Sequence, residues 1–201
     1  IMSITLSEPT ALTTPALSDV FMVDFVSAFH QGEVLAYPTE AVFGLGCDPD
    51  NQAAVEKVLA IKTRPQDKGL ILIAATIEQL YPYIDISSLD EVMLARVTAT
   101  WPGPFTWIMP KAAHTPDYLT GGRKTIAVRV SAHPTVIQLC HAVNKPLVST
   151  SANPSGAEPA RSIAQVNTYF GRTVFAIDGE VDHNAHPSKI QDAVTGQVLR
   201  G

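Results

Sequence analysis

The chain is poor in cysteine, in charged residues and in long apolar runs. Of its 201 residues, 2 are cysteines and 16% are charged, and the formal net charge is −5. Two cysteines far apart, Cys47 and Cys140, cannot form the disulfide framework of a small secreted domain. No apolar run approaches the roughly 20 residues that cross a membrane. The negative net charge does not favour nucleic acid, although it leaves room for a local basic patch.

The N-terminal segment also lacks the basic start and apolar centre of an export signal. Residues 1–16 are rich in Ser, Thr and Pro, which predicts a loosely held arm. No linker interrupts residues 17–201, so they are predicted to form a single domain. With no export signal and no disulfide framework, a reduced cytoplasmic location is expected.

Apolar residues, at 46% of the chain, are numerous enough for a packed core. Helix-like and strand-like segments alternate, which predicts a mixed α/β (α+β) fold in layers. Helices are predicted over residues 18–30, 51–62, 88–100, 134–143 and 162–170. Strands are predicted over residues 33–37, 69–75, 105–109, 125–130, 146–151 and 173–177. The C-terminal segment predicts a hairpin that turns at Thr195–Gly196.

The second predicted helix carries a cation on its core-facing side. Val55, Val58 and Leu59 follow the i, i+3, i+4 spacing of an apolar stripe, and the i+7 position is Lys62. Arg64 follows in the segment "KTRP". Two cations at the end of an apolar helix suit a bound anion, because lysine supplies a point charge and arginine can grip two oxygens. The alternative is a solvated helix end whose charges complement the helix dipole.

Two predicted strands carry polar residues on one side. Alternation places Thr125 and Arg129 on one face of their strand, and Ser149 and Ser151 on one face of theirs, with Asn153 just beyond. Such groups are costly to bury without partners. The pattern therefore indicates either a solvated sheet face or a ligand groove, and the cations of "KTRP" favour the groove.

Other motifs of known chemistry are weak. The stretch "LTGGRKT" at residues 119–125 lacks the Walker A spacing and is interpreted as a turn. The histidines show no metal-ligand spacing with each other or with the cysteines, so no metal site is predicted. The serines have no identifiable base, so nucleophilic serine catalysis is not supported.

Six segments in order carry a resemblance to a known family. They are "AYPTEAVFGLGCDP", "KTRP", "WPGPFTWIMP", "TIAVRV", "PLVSTSANPSG" and "PSKIQDAVTGQVLRG". Together they resemble the YrdC/TsaC family of threonylcarbamoyl-AMP synthases, in its short bacterial form, from about residue 20 to the C-terminus. The resemblance implies a YrdC-like fold, which is a twisted mixed β-sheet flanked by helices with a concave basic cleft.

The resemblance also implies an activity. Family members are nucleotidyltransferases that make L-threonylcarbamoyladenylate and pyrophosphate from L-threonine, bicarbonate and ATP, for threonylcarbamoyladenosine modification of tRNA. ATP is then a substrate, with Mg²⁺ expected to accompany it. Other tRNA threonylcarbamoyl-transfer proteins are the implied partners. Weak contact with tRNA or double-stranded RNA is compatible with this activity, and no membrane contact is expected.

Site residues follow from matching the family's motifs. The "KxR…SxN" pattern implies catalytic roles for Lys62, Arg64, Ser151 and Asn153. Contacts to L-threonine are expected from Thr39, Arg129, Ser149 and Ser188. Contacts to ATP are expected from Lys62, Gln66, Thr125, Ser151, Arg161 and Arg200. Glu40 has no implied role, and it either orients Lys62 or Arg64 or is solvated.

Two other functions stay open at this stage. An RNA-binding module would grip phosphate backbones in the basic cleft, although a net charge of −5 argues against a large footprint. A carbamoyl-transfer domain of the hydrogenase-maturation type would share the fold, but the acylphosphatase and zinc-finger segments of those proteins are absent from this sequence. Dependence on threonine would favour the synthase, and use of carbamoyl phosphate would favour the transfer domain.

Overall fold

The computed structural model describes residues 16–183 and 185–200. The predicted N-terminal arm therefore lies outside the described residues, apart from Ala16. The helices are α1 (Asp19–His30), α2 (Gln52–Lys62), α3 (Glu91–Thr98), α4 (Asp117–Thr120), α5 (Pro134–Val143) and α6 (Ile163–Phe170). The strands are β1 (Leu35–Pro38), β2 (Phe43–Gly46), β3 (Ile71–Ala74), β4 (Phe105–Pro110), β5 (Thr125–Val130), β6 (Leu147–Ser151), β7 (Phe175–Ala176), β8 (Lys189–Asp192) and β9 (Val198–Arg200).

The strands of the described residues join in one mixed sheet. Their order is β7-β1-β2-β6-β3-β5-β4-β8-β9. The pairs β1–β7, β3–β5 and β4–β8 are parallel, and the other neighbours are antiparallel. The predicted mixed sheet is confirmed, and so is the C-terminal hairpin, formed by β8 and β9 with Gly196 in its turn at a φ of +74°.

Side-chain caps set where most of the helices begin. Each capping side chain accepts a hydrogen bond from a backbone N–H of the first turn, which has no partner within the helix. The capping residues are Ser18, Asn51, Asp90, His133 and Ser162. The prediction of a helix over residues 88–100 is too long, because Asp90 caps α3 and a separate 3₁₀ turn covers Ile86–Ser88.

Helices pack on both faces of the sheet. Ile73 points to the face covered by α1 and α5, while its neighbours Leu72 and Ala74 pack in the cluster that contains α2, α3 and α6. The residues predicted to face inward from α5 are buried at Val136, Leu139 and Cys140 and half-buried at Val143. Both cysteines are free buried thiols. Within the described part of the chain, no helix has the length and apolar character needed to cross a membrane.

Two elements near the site are absent from the sequence-based predictions. Strand β2 contains two glycines, which usually interrupt strands. At Gly46 a Cβ atom would lie 1.7 Å from the carbonyl oxygen of Val148, so only glycine lets β2 approach β6. Helix α4 occupies part of the stretch interpreted as a turn, and the turn itself begins at Gly121, whose φ is +64°. The predicted strand over 173–177 is shorter, Phe175–Ala176.

Candidate active site

A cavity of about 410 Å³ lies on the sheet face that carries Ile71. Ile71 is paired with Ser149 on β6 and with Ala127 on β5, and paired residues share a face. Alternate residues on these two strands therefore point into the cavity, as the sequence pattern predicts. The predicted site residues that line it are Thr39, Arg64, Thr125, Arg129, Ser149, Ser151, Ser188 and Arg200.

Four predicted site residues are not part of the cavity lining. Gln66 is exposed on a 3₁₀ turn, and Arg161 is exposed beside the start of α6, where its backbone N–H donates to Gln165 Oε1. Lys62 and Asn153 lie behind Ser151 and contact it directly. ATP contacts by Gln66 and Arg161 stay predictions, and both side chains would have to reach the ligand from outside this lining.

Lys62 is the centre of a hydrogen-bonded cluster at the end of α2. Its side chain follows the apolar stripe inward, and the residue is 6% exposed. Nζ donates to the carbonyl oxygens of Ser151 at 2.5 Å and Asn153 at 3.1 Å, and it lies 3.1 Å from Asn153 Oδ1 and 3.4 Å from Ser151 Oγ. Ser151 Oγ donates to Asn153 Oδ1 at 2.6 Å. An ammonium has three N–H donors, so this cluster saturates it.

The protonation of Lys62 reflects two opposing influences. Burial, and then the charge of Arg64, lower the pKa of Lys62 to about 8. The four oxygens around Nζ favour the charged ammonium, so Lys62 carries its proton at neutral pH. Burial, and then the charge of Arg123, also lower the pKa of Arg64, but a guanidinium remains protonated. A bound anion would offset the desolvation and the mutual repulsion of these cations.

Glu40 pairs with Arg129, a predicted site residue to which the sequence does not connect it. Its Oε2 accepts a hydrogen bond from Arg129 Nη2, and its Oε1 accepts from Ser131 Oγ at 3.0 Å and from the backbone N–H of Ala132 at 3.1 Å. Arg129 Nε also donates to the carbonyl oxygen of Gly103 at 3.2 Å. The expectation that Glu40 orients Lys62 or Arg64, or is solvated, is therefore wrong, because Glu40 fixes Arg129.

Thr39 and Ser188, which both carry a side-chain hydroxyl, line the same cavity as Arg129. Thr39 Oγ1 donates to the carbonyl oxygen of Val42 at 2.6 Å. Ser188 Oγ lies 3.2 Å from Thr106 Oγ1 and accepts from Arg200 Nη2 at 3.3 Å. We call Thr39, Glu40, Arg129 and Ser188 the Glu40 end of the cavity.

A second group of residues surrounds the start of β5, and three of them are cations. Arg64 Nη2 donates to the carbonyl oxygen of Gly69 at 3.0 Å, and Arg123 Nη1 donates to that of Asp67 at 2.5 Å. Together with Lys68 these arginines line the cavity, and none of the three pairs with a carboxylate of the described residues. We call Arg64, Lys68, Thr120 and Arg123 the Arg123 end.

Strand β5 separates the two ends. Thr125 begins it beside the Arg123 end, and Arg129 lies four residues further on, about 13 Å away at the usual rise per residue. Lys68, Thr120 and Arg123 are absent from the sequence-based site predictions. The signal of Lys68 and Arg123 in the sequence is positive charge beside glycine in "DKGL" and "GGRK", which also suits an ordinary solvated turn. Thr120 has no such signal.

Comparison with known proteins agrees with this architecture. A family model described as "Telomere recombination", which groups Sua5, YciO and YrdC proteins, matches residues 27–201. The chain therefore belongs to this family. A threonylcarbamoyl-AMP synthase from Vibrio vulnificus (strain YJ016) is 54% identical over 176 residues, which cover 87% of this chain and 95% of that protein.

Solved structures extend the comparison to the fold. The structure of P. abyssi Sua5 complexed with L-threonine has a TM-score of 0.85 at 30% identity and covers 92% of this chain. The chain spans about half of that protein's length, 55%. E. coli YciO has a TM-score of 0.76 at 25% identity, over 91% of this chain and 89% of its own. The predicted YrdC-like fold, with its twisted mixed sheet and flanking helices, is confirmed.

Proposed function

We propose that this chain is a threonylcarbamoyl-AMP synthase, a nucleotidyltransferase that makes L-threonylcarbamoyladenylate and pyrophosphate from L-threonine, bicarbonate and ATP. The observation that carries the proposal is one cavity with two different ends, one built around an oriented arginine and hydroxyls and the other around unpaired cations. An amino acid and a nucleoside triphosphate need these two kinds of surroundings. The name of the Vibrio relative, at 54% identity, supports the same activity.

The Glu40 end has the chemistry to hold L-threonine. The substrate carries a carboxylate, an amine and a hydroxyl, so it needs a cation and several hydrogen-bonding groups. Arg129, held by Glu40, would donate to the carboxylate, while Thr39, Ser149 and Ser188 would contact the amine and the hydroxyl. A Sua5 relative with bound L-threonine supports this assignment.

The reaction then needs positioning and charge more than acid–base groups. The threonine amine attacks the carbon of bicarbonate, a carbon–oxygen bond breaks and water leaves, which gives a carbamate. An oxygen of the carbamate then attacks the α-phosphorus of ATP. The bond from that phosphorus to the bridging oxygen breaks, and pyrophosphate leaves with the electron pair. Both reactants are anionic, so Lys62 and Arg64 would stabilise the charge as they meet. Ser151 and Asn153 would hold the Lys62 ammonium in place.

ATP and its metal ion fit the rest of the cavity. Thr125 and Arg200 line it, and Gln66 and Arg161 would approach from outside. The basic character of the cleft stays a prediction that the unpaired cations of the Arg123 end support. The lining offers cations and hydroxyls, so Mg²⁺ would enter with ATP and be held by phosphates and water.

The comparisons favour the synthase over both alternatives, since the curated relatives at 52–54% identity are named for threonylcarbamoyl-AMP synthesis. Transfer of the product to tRNA by partner proteins, weak contact with tRNA or double-stranded RNA, a single domain over residues 17–201 and a cytoplasmic location stay predictions.

Mass spectrometry of the product tests the proposal. Incubation with L-threonine, ¹³C-labelled bicarbonate and MgATP should give a labelled threonylcarbamoyladenylate, and omission of any one substrate should abolish it. Carbamoyl phosphate, offered in place of threonine and bicarbonate, is the control for the transfer-domain alternative. A carbamoyl adenylate formed from carbamoyl phosphate, without dependence on threonine, would refute the synthase.

A further inference from the structure

The turn between β5 and α5 lies outside the cavity lining but holds the carboxylate of Glu40. It covers residues 131–133, and we call it the Ser131 turn. Glu40 Oε1 accepts from Ser131 Oγ at 3.0 Å and from the backbone N–H of Ala132 at 3.1 Å, while its other oxygen bonds to the guanidinium at the Glu40 end. A carboxylate held at both oxygens has little freedom to rotate. The direction of the Arg129 guanidinium therefore depends on where this turn lies.

His133 ends the Ser131 turn, and the residue is 1% exposed. Its backbone N–H donates to Ser131 Oγ at 3.0 Å, which leaves the hydroxyl proton of Ser131 for Glu40. Its ring Nδ1 accepts from the backbone N–H of Thr135 at 3.2 Å, so the ring proton is assigned to Nε2, which lies 2.8 Å from the carbonyl oxygen of Glu180. Burial lowers the pKa of His133, which favours the neutral ring. One tautomer of the neutral imidazole satisfies both ring contacts.

The chain segment that accepts the Nε2 hydrogen bond returns to Glu40. This segment is residues 178–182, and we call it the Glu180 segment. The backbone N–H of Asp182 donates to the backbone carbonyl oxygen of Glu40 at 2.7 Å. His133 and Glu40 are therefore connected by two routes, the Ser131 turn and the Glu180 segment. Because the two routes form a closed ring of hydrogen bonds, loss of the Nε2 bond also releases a constraint on Glu40.

We propose that His133 is a positioning residue for L-threonine, and that its Nε2 bond to the Glu180 segment keeps Glu40 and the Arg129 guanidinium in the orientation that meets the substrate carboxylate. This inference rests on the proposed function. His133 lies outside the cavity lining, so it acts through Glu40 and Arg129 and not by contact with the substrate. ATP binds to other groups, so its affinity should depend little on His133.

Two substitutions separate the two ring contacts of His133. His133→Asn keeps an acceptor for the Thr135 N–H, because asparagine is a good N-cap, but its side chain is too short to reach Glu180. His133→Gln places an amide donor near the position of Nε2 and gives up the cap. If the ring acts by positioning, threonine affinity follows the bond to Glu180. If it acts as a helix cap alone, threonine affinity follows the cap.

Calorimetric titration with L-threonine, and separately with MgATP, measures these affinities. His133→Asn should weaken threonine binding about fivefold to tenfold and ATP binding by less than about twofold. His133→Gln should bind threonine within about twofold of wild type, although its melting temperature should fall by about 2–4 °C with loss of the cap. Ser131→Ala removes the hydroxyl donor to Glu40 and should also weaken threonine binding about fivefold to tenfold.

Asp90→Ala is the matched control for a lost cap. Asp90 accepts from the backbone N–H of Met93 at 2.8 Å at the start of α3, and it lies outside the cavity lining. Its loss should lower the melting temperature by about 2–4 °C and leave threonine and ATP affinities within about twofold of wild type.

The outcomes separate the positioning role from the proposed function. A folded His133→Asn protein that binds threonine as tightly as wild type overturns the positioning role, even where wild type makes the adenylate. A larger loss of threonine affinity in His133→Gln than in His133→Asn, or an equal loss in Asp90→Ala, also overturns it, because helix capping or general stability then explains the effect. The expected ranking with no adenylate formed keeps the positioning role and refutes the synthase. If His133→Asn does not fold, Ser131→Ala against Asp90→Ala decides.

Discussion

The two ends of the cavity treat positive charge in opposite ways. At the Glu40 end, Arg129 is 8% exposed and paired with Glu40, whose other oxygen accepts two further hydrogen bonds. At the Arg123 end, Arg64 and Arg123 donate to backbone carbonyls and have no carboxylate partner in the described part of the chain. The positive charge of the Glu40 end is therefore neutralised by a carboxylate before a ligand binds, whereas the positive charge of the Arg123 end is not.

This difference matches what each proposed substrate needs. An amino acid is close to neutral overall, so a site for it gains more from a correctly oriented arginine than from added charge. A triphosphate carries several negative charges, so its site gains from cations that nothing else neutralises. The contrast therefore predicts distinct responses of threonine and ATP binding to mutation, salt and pH.

The largest effect is expected from Lys62→Ala, because the Lys62 ammonium holds Ser151 and Asn153 together behind the cavity and its charge acts beside that of Arg64. Loss of the ammonium leaves the meeting of two anions uncompensated, so adenylate formation should fall by about 1000-fold or more. Pyrophosphate release measures the rate. Lys57→Ala, on the exposed side of the same helix, is the matched control and should retain activity. Normal pyrophosphate release by a folded Lys62→Ala protein would remove the central role of Lys62.

A smaller and more selective effect is expected from Glu40→Gln. The change leaves the Arg129 cation buried without its counter-charge, so the free energy of unfolding should fall by about 3 kcal/mol. The KM for threonine should rise by about tenfold to a hundredfold, with a smaller change in kcat and in the KM for ATP. Steady-state kinetics with each substrate varied, together with denaturant unfolding, measures both effects.

The double variant Glu40→Gln/Arg129→Met distinguishes positioning from simple stabilisation. Removal of the unpaired cation should restore part of the lost stability, while threonine use should worsen further. If the KM for threonine is unchanged in Glu40→Gln, Glu40 has a structural role alone and the Glu40 end does not bind the amino acid.

A change in salt concentration should affect ligand binding at the two ends to different extents, with a moderate effect on ATP. Mobile ions screen exposed cations more than buried ion pairs, so raising NaCl from about 50 mM to about 500 mM should weaken ATP binding about tenfold. Threonine binding should change by less than about twofold, because Arg129 is buried and its partner Glu40 is half-buried. Calorimetry of each ligand at both salt concentrations measures this. Equal salt dependence for the two ligands would contradict the comparison.

The smallest effect concerns pH and the Lys62 ammonium. Its pKa is lowered to about 8, so ATP affinity should decline as the pH rises through that value, by about fivefold from pH 7 to pH 9. Lys62→Arg should bind ATP with little pH dependence over this range, because a guanidinium stays charged. An unchanged pH profile in Lys62→Arg would assign the titration to another group.

The contribution of Lys62 to the free energy of unfolding does not follow the same trend with pH as ATP affinity. From about pH 8 up to the ordinary lysine value of 10.5, the unfolded chain binds the Lys62 proton more strongly than the folded chain. The contribution of Lys62 to stability therefore increases with pH in this window. A loss of ATP affinity above pH 8 then reports on charge in the site rather than on loss of the fold.

Periodicity predicts the parts of the site that lie on regular elements. Lys62 occupies the inward stripe of α2, and Arg129, Ser149 and Ser151 point to the cavity by strand alternation. Each of these placements depends on neighbours within a few residues in the sequence. Local patterning is therefore sufficient for them, and the structure confirms the faces that it predicts.

The rest of the site depends on contacts between distant segments. Glu40 and Arg129 are 89 positions apart, and no local pattern indicates that they meet. Thr120 ends a helix of four residues, which is too short for a periodic signal. The role of Arg123 depends on a turn that packs against Asp67, so its sequence alone cannot distinguish it from a solvated cation.

The close approach at Gly46 affects how any survey of random variants of this protein would be interpreted. A replacement there would collide with the Val148 carbonyl and keep β2 from pairing with β6. We expect it to abolish activity, as we expect of the loss of Lys62. Ranked by activity alone, the two positions would look equally catalytic. Measuring the yield of folded protein beside activity would separate a position that the chemistry requires from one that assembly of the sheet requires.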